Sequence, residues 1–232
     1  MDERRLTRAQ ISAAVDHLGW RLVLGTVRTA VAVGGIAEAA SLARAAVEAA
    51  GPAGDGTLEV SLHGERVGLA VQARALDAVT ERDLAVVRRV TEALSAQGWR
   101  TVPDDAVQLV EIAVDALDIP AVRPFWRAIL AYEDQPGAGA EGGLLDPARH
   151  GPAVWFQQMD TPRPQRNRIH LDVSVPHDQL QGRLSAALAA GGRLLSDANA
   201  PSFWVLADAE GNEACLTTWQ GRDPPAPPDT TA

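Results

Sequence analysis

Apolar positions along the chain switch repeatedly between a helical period of about 3.6 and strict alternation, and these switches mark out its elements. Thr7-Arg8-Ala9-Gln10 has the form of a capping box and predicts a first helix, which Gly19 ends just before Trp20. Arg21 to Val33, rich in valine, predicts one or two short strands. Ile36 to Ala50 predicts an alanine-rich helix with Ile36, Ala40, Leu42, Ala43, Ala46 and Val47 on its apolar side, stopped by Gly51-Pro52. Leu58, Val60 and Leu62 alternate with polar residues, as do Val67, Leu69 and Val71 after the turn at His63-Gly64-Glu65, so a hairpin with one buried face is expected. Thr80-Glu81-Arg82-Asp83 caps a further helix with Leu84, Val87, Val90 and Leu94 inward. The first unit thus reads α-β-α-β-β-α, of the α+β type.

Gln97 to Asp105, with Gly98, Pro103 and two aspartates, predicts a linker. The expected division is a first domain over 1–98, a linker over 99–106, a second domain over 107–220 and a disordered tail over 221–232, where Pro224-Pro225 and Pro227-Pro228 oppose packing. The second domain contains a repeat. Glu111-Ile112-Ala113-Val114-Asp115 leads into the helical Pro124 to Leu130, and His170-Leu171-Asp172-Val173 leads into Leu184 to Leu188. The offset is 59 residues (170 − 111), and Ile112 to Leu171, Val114 to Val173 and Ile129 to Leu188 share it. A strand-helix unit repeated once predicts a duplicated fold with a site between its halves. Gly137 to Gly143 reads as a flexible connection without a phosphate-binding spacing. Further strands are expected at Val154–Met159, Phe203–Ala207 and Glu213–Thr218, with Pro162–Asn167 leading to the second repeat and Asp208–Asn212 turning between the last two strands.

The 232 residues carry a net charge of −9, and no arginine stripe with interleaved aromatics offsets it, so nucleic-acid binding is not expected. All 21 basic residues are arginine, which excludes a lysine Schiff base or a Walker-type lysine. The one cysteine, Cys215, excludes an internal disulfide and a multi-cysteine zinc site. With no signal-type segment and no apolar run near the roughly 20 residues that span a bilayer, a cytoplasmic protein without membrane association is expected.

Alternation selects the candidate chemistry. Val110, Ile112 and Val114 share one strand face and Glu111 and Asp115 the other; His170 opposes Ile169, Leu171 and Val173; Glu213, Cys215 and Thr217 share a face. A pseudo-twofold axis relating the repeats would bring Glu111 and His170 together, and a carboxylate with an imidazole ligates zinc, iron, nickel or manganese. The alternative is a hydrogen-bonded histidine in a polar groove with Glu111 as partner, and a Cys215 buried as a small apolar residue. Trp126 is expected in the core. Trp155 and Trp204 are either core or an aromatic wall for a planar, apolar ligand.

Pro124-Phe125-Trp126-Arg127-Ala128-Ile129-Leu130, Trp155-Phe156-Gln157, Asn167-Arg168-Ile169-His170-Leu171-Asp172 and Asp208-Ala209-Glu210-Gly211-Asn212-Glu213 resemble the glyoxalase-like domains of the vicinal oxygen chelate superfamily, in order, over roughly Val107 to Gln220. The resemblance implies two βαβββ modules curving into a cup that holds a divalent metal. Carried over by position, the ligands are Glu111, Gln157, His170 and Cys215, with Glu111, His170 and Glu213 as catalytic groups. Two positions depart from the family: Cys215 stands where a glutamate is usual, with Glu213 two residues earlier, and Gln157 is a weak neutral ligand. The implied activities are metal-assisted lyase or isomerase chemistry on a small molecule, or metal-free binding of the bleomycin-resistance kind.

Residues 6 to about 96 resemble pterin-4a-carbinolamine dehydratase in Leu18-Gly19-Trp20, Val67-Gly68-Leu69-Ala70-Val71 and Thr80-Glu81-Arg82-Asp83. The family's acid-base histidines are missing. Gly51 to Thr57 replaces the His-His-Pro triplet, and the later Thr-His pair falls on Ala73-Arg74, where arginine cannot accept a proton. A scaffold for ligand binding or homo-oligomerisation is expected, and the alternative is retained dehydration through Asp55, Glu65 or His63.

Overall fold

The computed structural model describes residues 6–103, 108–163, 165 and 169–222. The expected tail from Asp223 onward, linker positions 104–106 and residues 164 and 166–168 of the connection into the second repeat lie outside them. The fold class is α+β, in two units, Met1–Leu109 and Val110–Ala232.

In the first unit, α1 (Arg8–Val15), α2 (Ile36–Ala50) and α3 (Glu81–Ala96) accompany β1 (Arg21–Val23), β2 (Thr26–Ala32), β3 (Leu58–Leu62) and β4 (Arg66–Val71). The sheet is antiparallel in the order β1-β2-β4-β3. Both predicted caps form, each as a capping box: Thr7 with Gln10 opens α1 and Thr80 with Asp83 opens α3. The α2 helix buries Ala39, Leu42, Ala45, Ala46 and Ala50, while Ile36 and Val47 stay exposed. The expected apolar side was therefore partly misplaced. In an alanine-rich helix several faces are apolar, and the one built on small residues lets α3 approach closely.

Part of the expected linker is bonded into this unit. Val102 and Ala30 exchange backbone hydrogen bonds of 3.0 and 3.1 Å, and the Thr101 hydroxyl donates to Leu18 O at 2.7 Å. Trp99 Nε1 donates to Glu38 Oε1 at 2.9 Å. Gly19, at φ +78°, lies so close to this segment that a Cβ there would sit 2.3 Å from Thr101 O.

The second unit runs β5 (Glu111–Ala116), α4 (Ile119–Leu130), β6 (Glu133–Asp134), β7 (Leu144–Leu145), β8 (Ala153–Gln158), then β9 (Leu171–Ser174), α5 (Leu180–Ala189), β10 (Arg193–Ser196), β11 (Phe203–Ala207) and β12 (Glu213–Thr217). Each half is a βαβββ module. The sheet orders are β5-β8-β7-β6 and β9-β12-β11-β10, so in both the first strand lies beside the last and runs parallel to it. The pairings correspond residue for residue. Ile112 faces Val154 in one module and Leu171 faces Ala214 in the other, offsets of 59 (171 − 112) and 60 (214 − 154). β6, β7 and β10 carry no alternation long enough to be read from sequence; pairing with a longer neighbour defines them.

One hydrophobic core serves both modules, including Val114, Phe125, Trp126, Ile129, Phe156, Ala187, Leu206 and Leu216. Polar contacts join them too. The Glu210 carboxylate accepts from Leu117 N and Asp118 N at 2.9 and 2.7 Å, at the start of α4, and Arg183 donates to Ile129 O at 3.0 Å, at its end. In each sheet alternate residues face this core, leaving the opposite face for chemistry. No helix among the described residues is long and apolar enough to cross a membrane.

Candidate functional site

His170 directly precedes β9, and Asp172 lies two residues on, so strand alternation turns both side chains to the face away from the core. Asp172 is the register partner of Cys215 on the parallel strand β12. Neighbouring strands lie about 4.8 Å apart, so partners in register are side-chain neighbours. The result is a compact three-residue group: His170, Asp172 and Cys215 each offer a ligand atom, all within 4.8 Å of one another. His170 Nε2 is 3.4 Å from Asp172 Oδ1. His170 and Asp172 are exposed, whereas Cys215 is buried. One step further along the same row, the Ser174 and Thr217 hydroxyls hydrogen-bond at 2.8 Å.

The donor set fits a metal. Around a tetrahedral zinc, ligand atoms lie about 3.4–3.8 Å apart, a separation the His170–Asp172 pair already has. Nitrogen, oxygen and sulfur donors together favour zinc or another transition ion over magnesium or calcium. Three protein ligands would leave a position open for a substrate oxygen.

The other predicted site residues are distributed differently. Glu111, at the start of β5, and Glu213, two residues before Cys215 on β12, belong to no group of three or more potential ligands among the described residues. The physical reason is that the group assembles from paired strands of one module, β9 and β12, and not across the repeat from β5. Gln157 is exposed on β8, and its amide donates to Gln158 O at 3.3 Å. Trp155, 40% exposed, lies on the open face of β8. Trp204 does not. It pairs with Leu216 in register, is 8% exposed and packs in the core, because its place in the alternation of β11 turns it inward. Asp172 went unassigned from sequence although the signal was present: it follows His170 by two residues, the spacing that puts side chains on one strand face.

In the first unit, Arg74 stands where the resemblance would place an acid-base histidine, and its guanidinium pairs with Glu59 at 2.9 Å. Gly51–Gly54, in the region of the missing triplet, forms a short 3-10 turn without a titratable side chain.

Residues 111–217 match the family model described as a glyoxalase-like domain. The matched segment spans the two βαβββ modules of the second unit. Among solved structures, the chain is similar to the fosfomycin resistance protein FosX of Listeria monocytogenes, crystallised with Mn(II) and sulfate, at 14% identity over 48% of this chain and 89% of that one, with a TM-score of 0.39. It is also similar to a hypothetical protein of S. aureus, at 12% identity over 49% and 98% of the two chains, TM-score 0.37. A transcriptional coactivator/pterin dehydratase of Brucella melitensis matches at 22% identity over 39% and 98%, TM-score 0.35. No curated protein matches the chain.

Proposed function

We propose that the second unit binds a small molecule at a divalent metal held by His170, Asp172 and Cys215, and carries out lyase- or isomerase-type chemistry there. The observation that carries this reading is the convergence of the three ligand atoms within 4.8 Å on one sheet face. The bound ion would supply Lewis-acid polarisation of adjacent substrate oxygens. The protein's own part is to fix the donors. Asp172 and Cys215 are held by the β9–β12 ladder, and strand alternation keeps His170 on the same face as Asp172. Glu213, on the same strand face as Cys215, is the carboxylate assigned to move a proton on the bound molecule. Zinc or iron is the expected ion, with nickel and manganese the other candidates.

The test is elemental analysis of the untagged, purified chain. About one metal per chain is expected, falling at least tenfold in Cys215→Ser and in the pair His170→Ala and Asp172→Asn. Metal-free protein after reconstitution with zinc, iron, nickel and manganese salts in turn, or unchanged content in the variants, overturns the reading. The first unit is proposed as a dehydratase-like scaffold without turnover, which is supported by the engagement of Arg74 with Glu59.

A further inference from the structure

The repeat allows the two modules to be compared position by position. The counterparts of His170, Asp172 and Cys215 in the first module are Glu111, Ala113 and Trp155, at the same offsets of 59 and 60 residues. One module presents chelating donors at these three positions, and the other an acid, a methyl group and an indole. Four of the six tryptophans donate their indole N–H to a defined partner: Trp20 to Thr91, Trp99 to Glu38, Trp126 to Asp208 and Trp219 to His177. Trp204 is core. Trp155 alone among the described residues combines substantial exposure, at 40%, with an indole N–H that has no protein partner.

Its surroundings are small and acidic. Ala113 is its register partner on β5, and on the β7 side its neighbour is Gly143, where a Cβ would lie 3.8 Å from the Trp155 Cβ and 3.0 Å from Gln135 Oε1. Glu111 and Asp115 stand two residues either side of Ala113, exposed on the same strand face. No arginine occurs in β5 or β8. An open indole flanked along the neighbouring strand by two carboxylates is complementary to a planar organic cation, which the ring face and the acids attract together.

We infer that Trp155, Glu111 and Asp115 form a subsite for a planar organic cation, such as a quaternised heteroaromatic or guanidinium-bearing group, on the first module of the second unit. The inference rests on the reading of this unit as a small-molecule-binding domain but not on its metal. It gives Asp115 a role and assigns Glu111 to ligand charge.

Calorimetric titration of the full chain at pH 8 tests it, with N-methylquinolinium, neutral quinoline and quinoline-2-carboxylate as probes. The cation should bind saturably, at least about tenfold more tightly than quinoline, with no measurable binding of the carboxylate. Trp155→Ala should weaken the cation about tenfold and Trp155→Phe less. The double variant Glu111→Gln with Asp115→Asn should bring the cation and quinoline to equal affinity. Equal binding of the cation and quinoline by the unaltered chain, no binding of the cation, or indifference to Trp155→Ala overturns the inference. Titration after chelator dialysis separates it from the metal reading. Cation binding that survives in protein shown to hold no metal even after reconstitution supports the subsite while the metal reading fails; binding lost on chelation overturns the subsite.

Discussion

Asp208 has no exposed surface, yet four donors meet its carboxylate: Trp126 Nε1 and Asn212 Nδ2 at one oxygen, Glu210 N and Asn212 N at the other, all at 2.8–3.0 Å. Burial without these bonds would be strongly unfavourable, so the Asp208–Asn212 turn, expected from sequence only as a connection, is a fixed joint between the modules. Asp146 illustrates the same economy at a more exposed position. Burial pushes its carboxyl up, but backbone N–H groups of Gly151, Ala148 and His150, with the nearby His150 side chain, outweigh this and hold it below the ordinary carboxylate range. Since the folded value is depressed, its contribution is present above the unfolded pKa of about 4 and is lost as pH falls through the folded value. The urea midpoint of Asp146→Asn should lie below that of the unaltered protein at pH 7, and the gap should narrow towards pH 3. A gap constant across that range would show the shift to be immaterial.

At the scale of elements, helix caps and strand alternation were legible because each is a local preference. Thr7, Thr80, Val114, Phe156 and Leu216 behave as their immediate neighbours in sequence predict. The short strands β6, β7 and β10 were not legible, nor was the true inner face of α2, because a partner element decides both. The packing of α4 on the end of α5 is likewise tertiary. Gly192 ends α5 beneath Phe125, and a Cβ there would lie 2.5 Å from Phe125 Cδ2 and 2.7 Å from Ala187 O. Phe125 has no exposed surface and little room to move. Gly192→Ala should therefore cost about 1–3 kcal/mol, read as a lower denaturant midpoint with unchanged slope. Gly182→Ala, where a Cβ meets nothing within 4 Å, is the control and should be neutral or slightly stabilising.

For the whole molecule, the buried clusters of the two units share no residue, so each unit has its own core and its own chemical inventory. In the first unit the positions where the resemblance to the dehydratases would place acid-base histidines hold Arg74, tied to Glu59, and the turn Gly51–Gly54. An arginine stays protonated at neutral pH and cannot relay the proton that dehydration requires. The full chain should accordingly give no acceleration of 4a-hydroxytetrahydropterin dehydration over the uncatalysed rate. A measurable rate that falls in His63→Ala, Asp55→Asn or Glu65→Gln would restore the first unit as an enzyme.

By itself the sequence determined the α+β class, the two-part organisation, the internal duplication and the candidate faces of its strands, because alternation, capping and a constant repeat offset are written along the chain. It also brought His170 and Cys215 forward as candidates. Only the tertiary structure decided their companion. Side chains far apart in sequence meet according to which strands pair and in what register, and the parallel β9–β12 ladder sets Asp172 beside Cys215 while the β5–β8 ladder sets Glu111 beside Ala153 and Ala113 beside Trp155.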